Sequence, residues 1–291
     1  MQTVSNRLEN NCKMKVLIIG HLGLLGHALM HTEHGAEVHG LDLPDLDIRN
    51  FPQLQNHLKQ VSPDWIVLTA AYTDVDGCES NQDRAFAVNR DGAINVARAA
   101  KEAQSRLLFL STDYVFDGRK TSPYEVDDPR NPQSVYGRSK AEAELGLLGV
   151  LPECCILRTS WMFGVSGKSF PDTILKLAAS RPALDVVSDQ RGCPTYSVDL
   201  ARAIFQLCHK NATGILHATN TEDCSWFEFA REIIAGAGLT TEVRPVSSDQ
   251  MARPAPRPAY SVLSSKSLQR YGVEMPTWKD ALLRYLKERK T

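Results

Sequence analysis

Tyr136 and Lys140, in "SVYGRSKAEAE" (134–144), stand one helical turn apart, so both side chains should emerge on the same face. A free phenol titrates near ~10, too high for ready proton transfer at neutral pH. An ammonium at ~5 Å, with an effective dielectric of about 20, would favour the phenolate by roughly 3 kcal/mol, about two pK units. Such a pair suits acid–base work at a carbonyl: a proton reaches the oxygen while a hydride from a nicotinamide reaches the carbon. On an ordinary surface helix the pairing does nothing, so the chain must also supply a dinucleotide site.

It has one in "GHLGLLG", where Gly20, Gly23 and Gly26 follow the apolar run "KVLIIG" and precede a helical pattern from Leu24 to His34. Gly20 should make the tight turn and Gly23 should let backbone approach a pyrophosphate. Gly26 should let helix and strand pack closely, aiming the helix N-terminus at the phosphates. Leu24 and Leu25 lie on that first turn. Asp42 closes the second strand, where a carboxylate reaches the adenosine ribose and favours NADH over NADPH without settling the choice. Its other reading is a turn residue. Asp47 and Ile48 follow and should flank the adenine; Ala71, Tyr72 and Thr73, at the end of the third strand, should lie against the cofactor. Ser111, Thr112 and Asp113 end the fourth strand, and a hydroxyl there can orient a carbonyl toward Tyr136. His27, His31 and His34 share a helix face, but Ala28 stands where a zinc-protease motif needs an acid. We read them as a surface helix, with no metal.

The positioning elements alternate. Strands are expected at 15–20, 37–42, 63–70, 106–111 and 154–160, with a long helix over 84–103 and another over 136–148. That order implies an α/β, Rossmann-like doubly wound parallel sheet. Beyond residue 160 prolines and glycines multiply between helices near 197–209, 225–236 and 277–287. We read 14–160 as an NAD(P)-binding domain and 161–291 as a smaller mixed α/β, mainly substrate-binding domain that can cross back onto the sheet. A formal charge of −1 on 291 residues argues against nucleic acid or an anionic membrane as a partner. Seven cysteines without a CxxC argue against a disulfide framework, and no run is long and apolar enough to span a bilayer. The expected location is the cytoplasm. Residues 1–13 lack a signal-peptide core, and Met14 offers a second start, so this stretch is expected to be disordered.

Taken in order, "GHLGLLG", "AAYTDVDGCE", "STDYVFDG", "VYGRSKAEAE", "LRTSW" and "RPAYSVL" resemble the extended short-chain dehydrogenase/reductase family from residue 15 to about 263. The ordered set is far more specific than Y-x-x-x-K alone. The resemblance implies NAD(P)H-dependent reduction of a 4-keto-6-deoxy nucleotide sugar. It implies Tyr136 as proton donor, Lys140 as its partner and Thr112 as the hydroxyl that tunes the transfer. It puts Gly23, Leu24, Leu25, Asp42, Asp47, Ile48, Ala71, Tyr72 and Thr73 at the cofactor, and Thr112, Asp113 and Trp161 at the nucleotide sugar. Arg257 reads either as a diphosphate or sugar contact or as a loop-stabilising arginine. Two departures stand out. Some members use a glutamate on the first helix to bind magnesium at a homodimer interface, and this chain has Ala28 there. Ser134 replaces a common asparagine. Alternatives on the same resemblance are a nucleotide-sugar epimerase or dehydratase, weakened by Tyr114 following Asp113, and a non-catalytic cofactor-binding subunit like that of methionine adenosyltransferase.

Overall fold

β1 (Lys15–Ile19) is apolar on both sides because both sides are covered: Val16 and Ile18 enter one core, Leu17 and Ile19 the other. The same holds for β3 (Trp65–Leu68), β4 (Arg106–Thr112) and β5 (Cys155–Thr159), whereas β2 (Glu37–Leu41) is a half-buried edge strand; all pair in parallel. A sixth strand, β6 (Gly214–His217), returns from the second half and pairs with β5. The order is β6-β5-β4-β3-β1-β2, so the chain reverses direction between β1 and β3. A crevice opens at the carboxyl ends of the strands at such a switch point. This is the Rossmann-like doubly wound sheet that the alternating pattern predicts. The computed structural model describes residues 13–289. The expectation for residues 1–13 therefore lies, apart from Lys13, outside the described residues.

Helices cover both faces. On one lie α2 (Phe51–Val61), α3 (Ala93–Glu102) and α4 (Val135–Val150), through Leu54, Leu58, Val96, Ala100 and Leu147. On the other lies α1 (Leu24–His31), through Leu25 and Leu29. Beside it packs a helix of the second half (Ser197–His209), through Leu200, Ile204 and Leu207. Three further second-half helices, Phe170–Ala178, Trp226–Gly236 and Trp278–Glu288, close a separate core around Phe163, Tyr196, Phe229 and Tyr285. Short two-stranded ribbons edge that core.

The long helix expected over 84–103 is interrupted. Gln82–Phe86 is α-helical, Ala87–Gly92 is π-helical, and only then does α3 begin. The wider turn carries Asn89 to the third strand's exit loop. There it accepts from the Tyr72 amide at 2.7 Å and donates to the Tyr72 carbonyl at 3.1 Å. Single π turns occur often at functional sites. Among the described residues no helix is long and apolar enough to cross a membrane, and the six cysteines there are free and buried.

Candidate active site

A cleft of about 740 Å³ lies at the switch point. One wall of it is built largely from missing side chains. Gly20 has φ +99°, and a Cβ there would come within 2.4 Å of the Ala70 amide. A Cβ on Gly26 would lie 2.1 Å from the Gly20 carbonyl oxygen, so α1 can seat on β1 only with glycine at this position. Gly23 differs. Its added Cβ meets nothing nearer than 3.4 Å, so the protein itself leaves that space open. Gly23 is also the N-cap of α1 and offers no side-chain cap, leaving the first turn with Leu24 and Leu25 facing the cleft. An uncapped helix N-terminus beside an open cradle fits a dinucleotide pyrophosphate.

Asp42, Asp47 and Ile48 line the same end. The Asp42 carboxylate accepts from the Leu22 amide at 3.1 Å and the Leu43 amide at 2.8 Å, so it braces the glycine loop as well as facing the cleft. Asp47 is held by a bidentate contact with Arg49, which keeps its carboxyl below the usual range. Ala71, Tyr72 and Thr73 form the opposite lip, and Thr69 steadies the base by donating to the Gly20 carbonyl at 3.0 Å.

The other wall is polar and buried. Ser134 caps α4 by accepting from the Gly137 amide at 3.1 Å, so the serine does the capping an asparagine could do. The first turns of α4 then present Tyr136 and Lys140 to the cleft, beside Thr112 and Asp113 from the end of β4 and Trp161 beyond β5. Asp113 is 1% exposed, and its Oδ1 takes the Thr112 hydroxyl at 3.0 Å. Burial pushes its carboxyl up to about 6. Its Oδ2 is buried with no hydrogen-bond partner among the described residues. Trp161 has φ +46°, a conformation costly for an indole-bearing residue, and its ring stacks on Trp226 at 3.5 Å.

The dyad itself departs from the sequence expectation. The Tyr136 phenol is pushed above its ordinary value by burial and then by the Asp113 carboxylate; hydrogen bonding with Thr112 opposes the rise. Lys140 does not lower it. The Lys140 ammonium donates to the Leu110 carbonyl at 2.6 Å and sits over the Phe109 ring at 3.9 Å. Burial lowers it to about 7, against an opposing pull from Glu144. Desolvation is the largest cause of both shifts. The phenol therefore rests protonated, the form a proton donor needs.

Arg257 takes the loop-stabilising of its two readings here, donating to Asp76 and to the Ala255 carbonyl. It is absent from the cleft lining, because Asp76 takes its guanidinium at 2.5 and 2.9 Å. His27 and His31 stack on each other at 4.1 Å on the far face of α1.

Comparison with known proteins agrees with this construction. The family model described as RmlD substrate binding domain matches residues 14–291. The chain belongs to that family. The chain is 39% identical over 277 residues to the Bacillus subtilis spore coat polysaccharide biosynthesis protein SpsK, covering 94% of this chain and 98% of that one. To dTDP-4-dehydrorhamnose reductase of Mycobacterium tuberculosis H37Rv it is 40% identical over 278 residues, covering 92% and 91%. A crystal structure of dTDP-4-dehydrorhamnose reductase from Bacillus anthracis in complex with NADP superposes with TM-score 0.92 at 36% identity, covering 95% and 99%.

Sequence reasoning missed the layer behind this family's site. Glu144, one turn beyond Lys140, is fully buried and accepts from Arg158 at 2.7 and 2.9 Å, from Arg130 at 2.6 Å and from the Ser111 hydroxyl at 2.6 Å. The i, i+4 continuation Tyr136–Lys140–Glu144 was a usable signal. Asn89 had none, because it lay inside a stretch that reads as unbroken helix. It also donates to the Ser139 hydroxyl at 3.0 Å, joining the cofactor lip to α4.

Proposed function

We propose that the cleft reduces the 4-keto group of a dTDP-linked 6-deoxy sugar with NADPH or NADH, converting dTDP-4-dehydrorhamnose to dTDP-L-rhamnose. The chain is an oxidoreductase of the short-chain dehydrogenase/reductase type. The observation that carries the reading is the convergence of Tyr136, Thr112 and Lys140 in the same cleft as the Gly20–Gly26 loop. The names of the relatives and the NADP in the Bacillus anthracis structure support it.

In this reading Gly23, Leu24 and Leu25 receive the pyrophosphate, Asp42, Asp47 and Ile48 the adenosine, and Ala71–Thr73 the nicotinamide side. Bound nicotinamide supplies the hydride that adds to the carbonyl carbon. Tyr136 gives its phenolic proton to the carbonyl oxygen, so the ketone becomes an alcohol. The Thr112 hydroxyl orients that oxygen and stabilises the phenolate left behind. Asp113 Oδ2, buried and unpaired, accepts a sugar hydroxyl, and Trp161 covers the sugar ring. Lys140 holds the nicotinamide ribose and returns charge to the site when it is protonated. Residues 14–160 hold the cofactor and 161–291 mainly hold the nucleotide sugar, in a cytoplasmic enzyme. Asp113 is followed by Tyr114 and not by the acid that a dehydratase places there, which leaves reduction as the supported chemistry.

The test is turnover of dTDP-4-keto-6-deoxy-L-mannose by the purified chain with NADPH and with NADH, followed by loss of reduced-nicotinamide absorbance. Stoichiometric consumption with formation of the 4-hydroxy sugar is expected. Absence of turnover with both cofactors would overturn the assignment.

A further inference from the structure

The segment Val75–Ser80, a short helix directly after the cofactor lip, reaches three parts of the site at once. Asp74 caps its start by accepting from the Gly77 amide at 2.9 Å. Glu79 accepts from the Val135 amide at 2.8 Å, fixing the first turn of α4 one residue before Tyr136. Asp76 faces the opposite way. It takes both Nη atoms of Arg257, at 2.5 and 2.9 Å, and the Ala255 amide at 3.1 Å. Arg257 in turn donates to the Ala255 carbonyl at 2.6 Å, so the fork also rigidifies its own loop.

That loop comes from the far end of the chain, 181 residues away from Asp76. Beyond Arg257 it closes on the catalytic wall. Pro258 packs so tightly over Gly118 that a Cβ there would lie 2.5 Å from it, and the Tyr260 amide donates to the Gly118 carbonyl at 3.2 Å. Ser261, buried on the same loop, donates its amide to the Arg191 carbonyl at 2.9 Å. The path from Thr73 through Asp76 and Arg257 to the Gly118 turn is thus a belt joining the cofactor lip to the segment that leaves Asp113. A bidentate guanidinium–carboxylate contact fixes angle as well as distance, which a single lysine contact does not. Asp76 and Arg257 are both only part-exposed, with side-chain exposures of 31% and 15%, so solvent does not dissolve the link.

We propose that the Asp76–Arg257 pair is a positioning element for the reduction, setting the separation between the cofactor lip and the wall that holds the sugar. This rests on the reductase reading of the cleft. Misplacement by ~1 Å of groups that bring two reactants together costs up to ~100-fold in rate.

The experiment uses the full-length chain carrying Asp76→Asn, Arg257→Lys, or the exchange Asp76→Arg with Arg257→Asp. NADPH affinity is titrated without sugar, and kcat and KM are measured with dTDP-4-keto-6-deoxy-L-mannose. The two single variants should lose ~10- to 100-fold in kcat/KM. Their NADPH Kd should stay within about twofold of wild type, and the exchange should recover part of the loss. Arg257→Lys keeps the charge and most of the packing, so it reads the geometry even if Asp76→Asn folds poorly. Unchanged kcat/KM in the singles overturns the proposal, as does an NADPH Kd that rises in step with the catalytic loss. A wild type that turns over no 4-keto nucleotide sugar removes the reductase reading and this proposal together; an active wild type with indifferent singles removes only the proposal.

Discussion

The two walls of the cleft are made of opposite materials. The wall proposed to hold the cofactor is defined by absent volume: Gly20, Gly23 and Gly26 and the small residues after β3 leave backbone bare. The wall proposed to carry the catalysis is defined by buried polar groups: burial holds Tyr136 protonated, lowers Lys140 to about 7 and raises Asp113 to about 6. Damage to the first should act through space and be indifferent to pH. Damage to the second should act through protonation and follow it.

The largest effect should come from Tyr136→Phe, which deletes one hydroxyl and little volume. General acid catalysis contributes ~10²–10⁴-fold, so kcat should fall by that much while NADPH affinity barely moves. Steady-state kinetics beside a fluorescence titration checks both; near-normal turnover would mean that the acid lies elsewhere. Gly23→Val attacks the opposite wall. It should fold, because the protein leaves that space open, and lose at least ~100-fold in cofactor affinity at every pH. Gly26→Val, whose Cβ would meet the Gly20 oxygen at 2.1 Å, should instead fail to yield folded protein. If both glycine variants behave alike, the distinction between open and closed positions collapses.

Lys140→Met should separate the walls by pH. Burial lowers Lys140 from 10.5 to about 7, so between those values the unfolded chain holds a proton that the folded chain lacks. Wild-type stability therefore rises as pH climbs from about 7 toward 10.5, and the penalty of the buried charge is fully present below 7. The variant should gain more stability at pH 6 than at pH 9, by ~3 kcal/mol, in denaturant melts. It should also lose ~10-fold in cofactor affinity below pH 7, a loss that narrows above that pH, where wild-type Lys140 is itself neutral. The smallest effect belongs to Asp42→Ala. Removing its charge should move the NADPH-to-NADH ratio of kcat/KM toward NADPH by a few-fold, ~1 kcal/mol. A ratio that stays put would reduce Asp42 to its brace on Leu22 and Leu43.

Legibility followed the same division. The glycine wall was readable because its signal is local: three glycines between an apolar strand and a helix, all within one short stretch. The dyad was readable from a single helical turn. What Lys140 does there was not, because burial lowers its pKa, and the strand it packs on, through Leu110 and Phe109, lies some 30 residues away in the chain. Arg257 shows the limit most clearly. Its two sequence readings could be told apart only by its partner, and Asp76 lies 181 residues away. The π turn at Ala87–Gly92 was invisible because helical periodicity on either side continues through it.

The return of β6 to the sheet has a consequence for synthesis. A chain emerging from the ribosome as far as residue 160 has made five of the six strands, yet β5 still offers an unpaired edge. The sheet face that Leu200, Ile204 and Leu207 will cover is also bare, with Leu108, Cys155 and Leu157 exposed along it. The face closes once Ser197–His209 has left the tunnel, and the edge only after Gly214–His217 has followed. At ~5–20 residues per second this leaves the nascent sheet sticky for several seconds. The interval is an opening for chaperones, and it sets a reason for the two halves to be encoded as one chain.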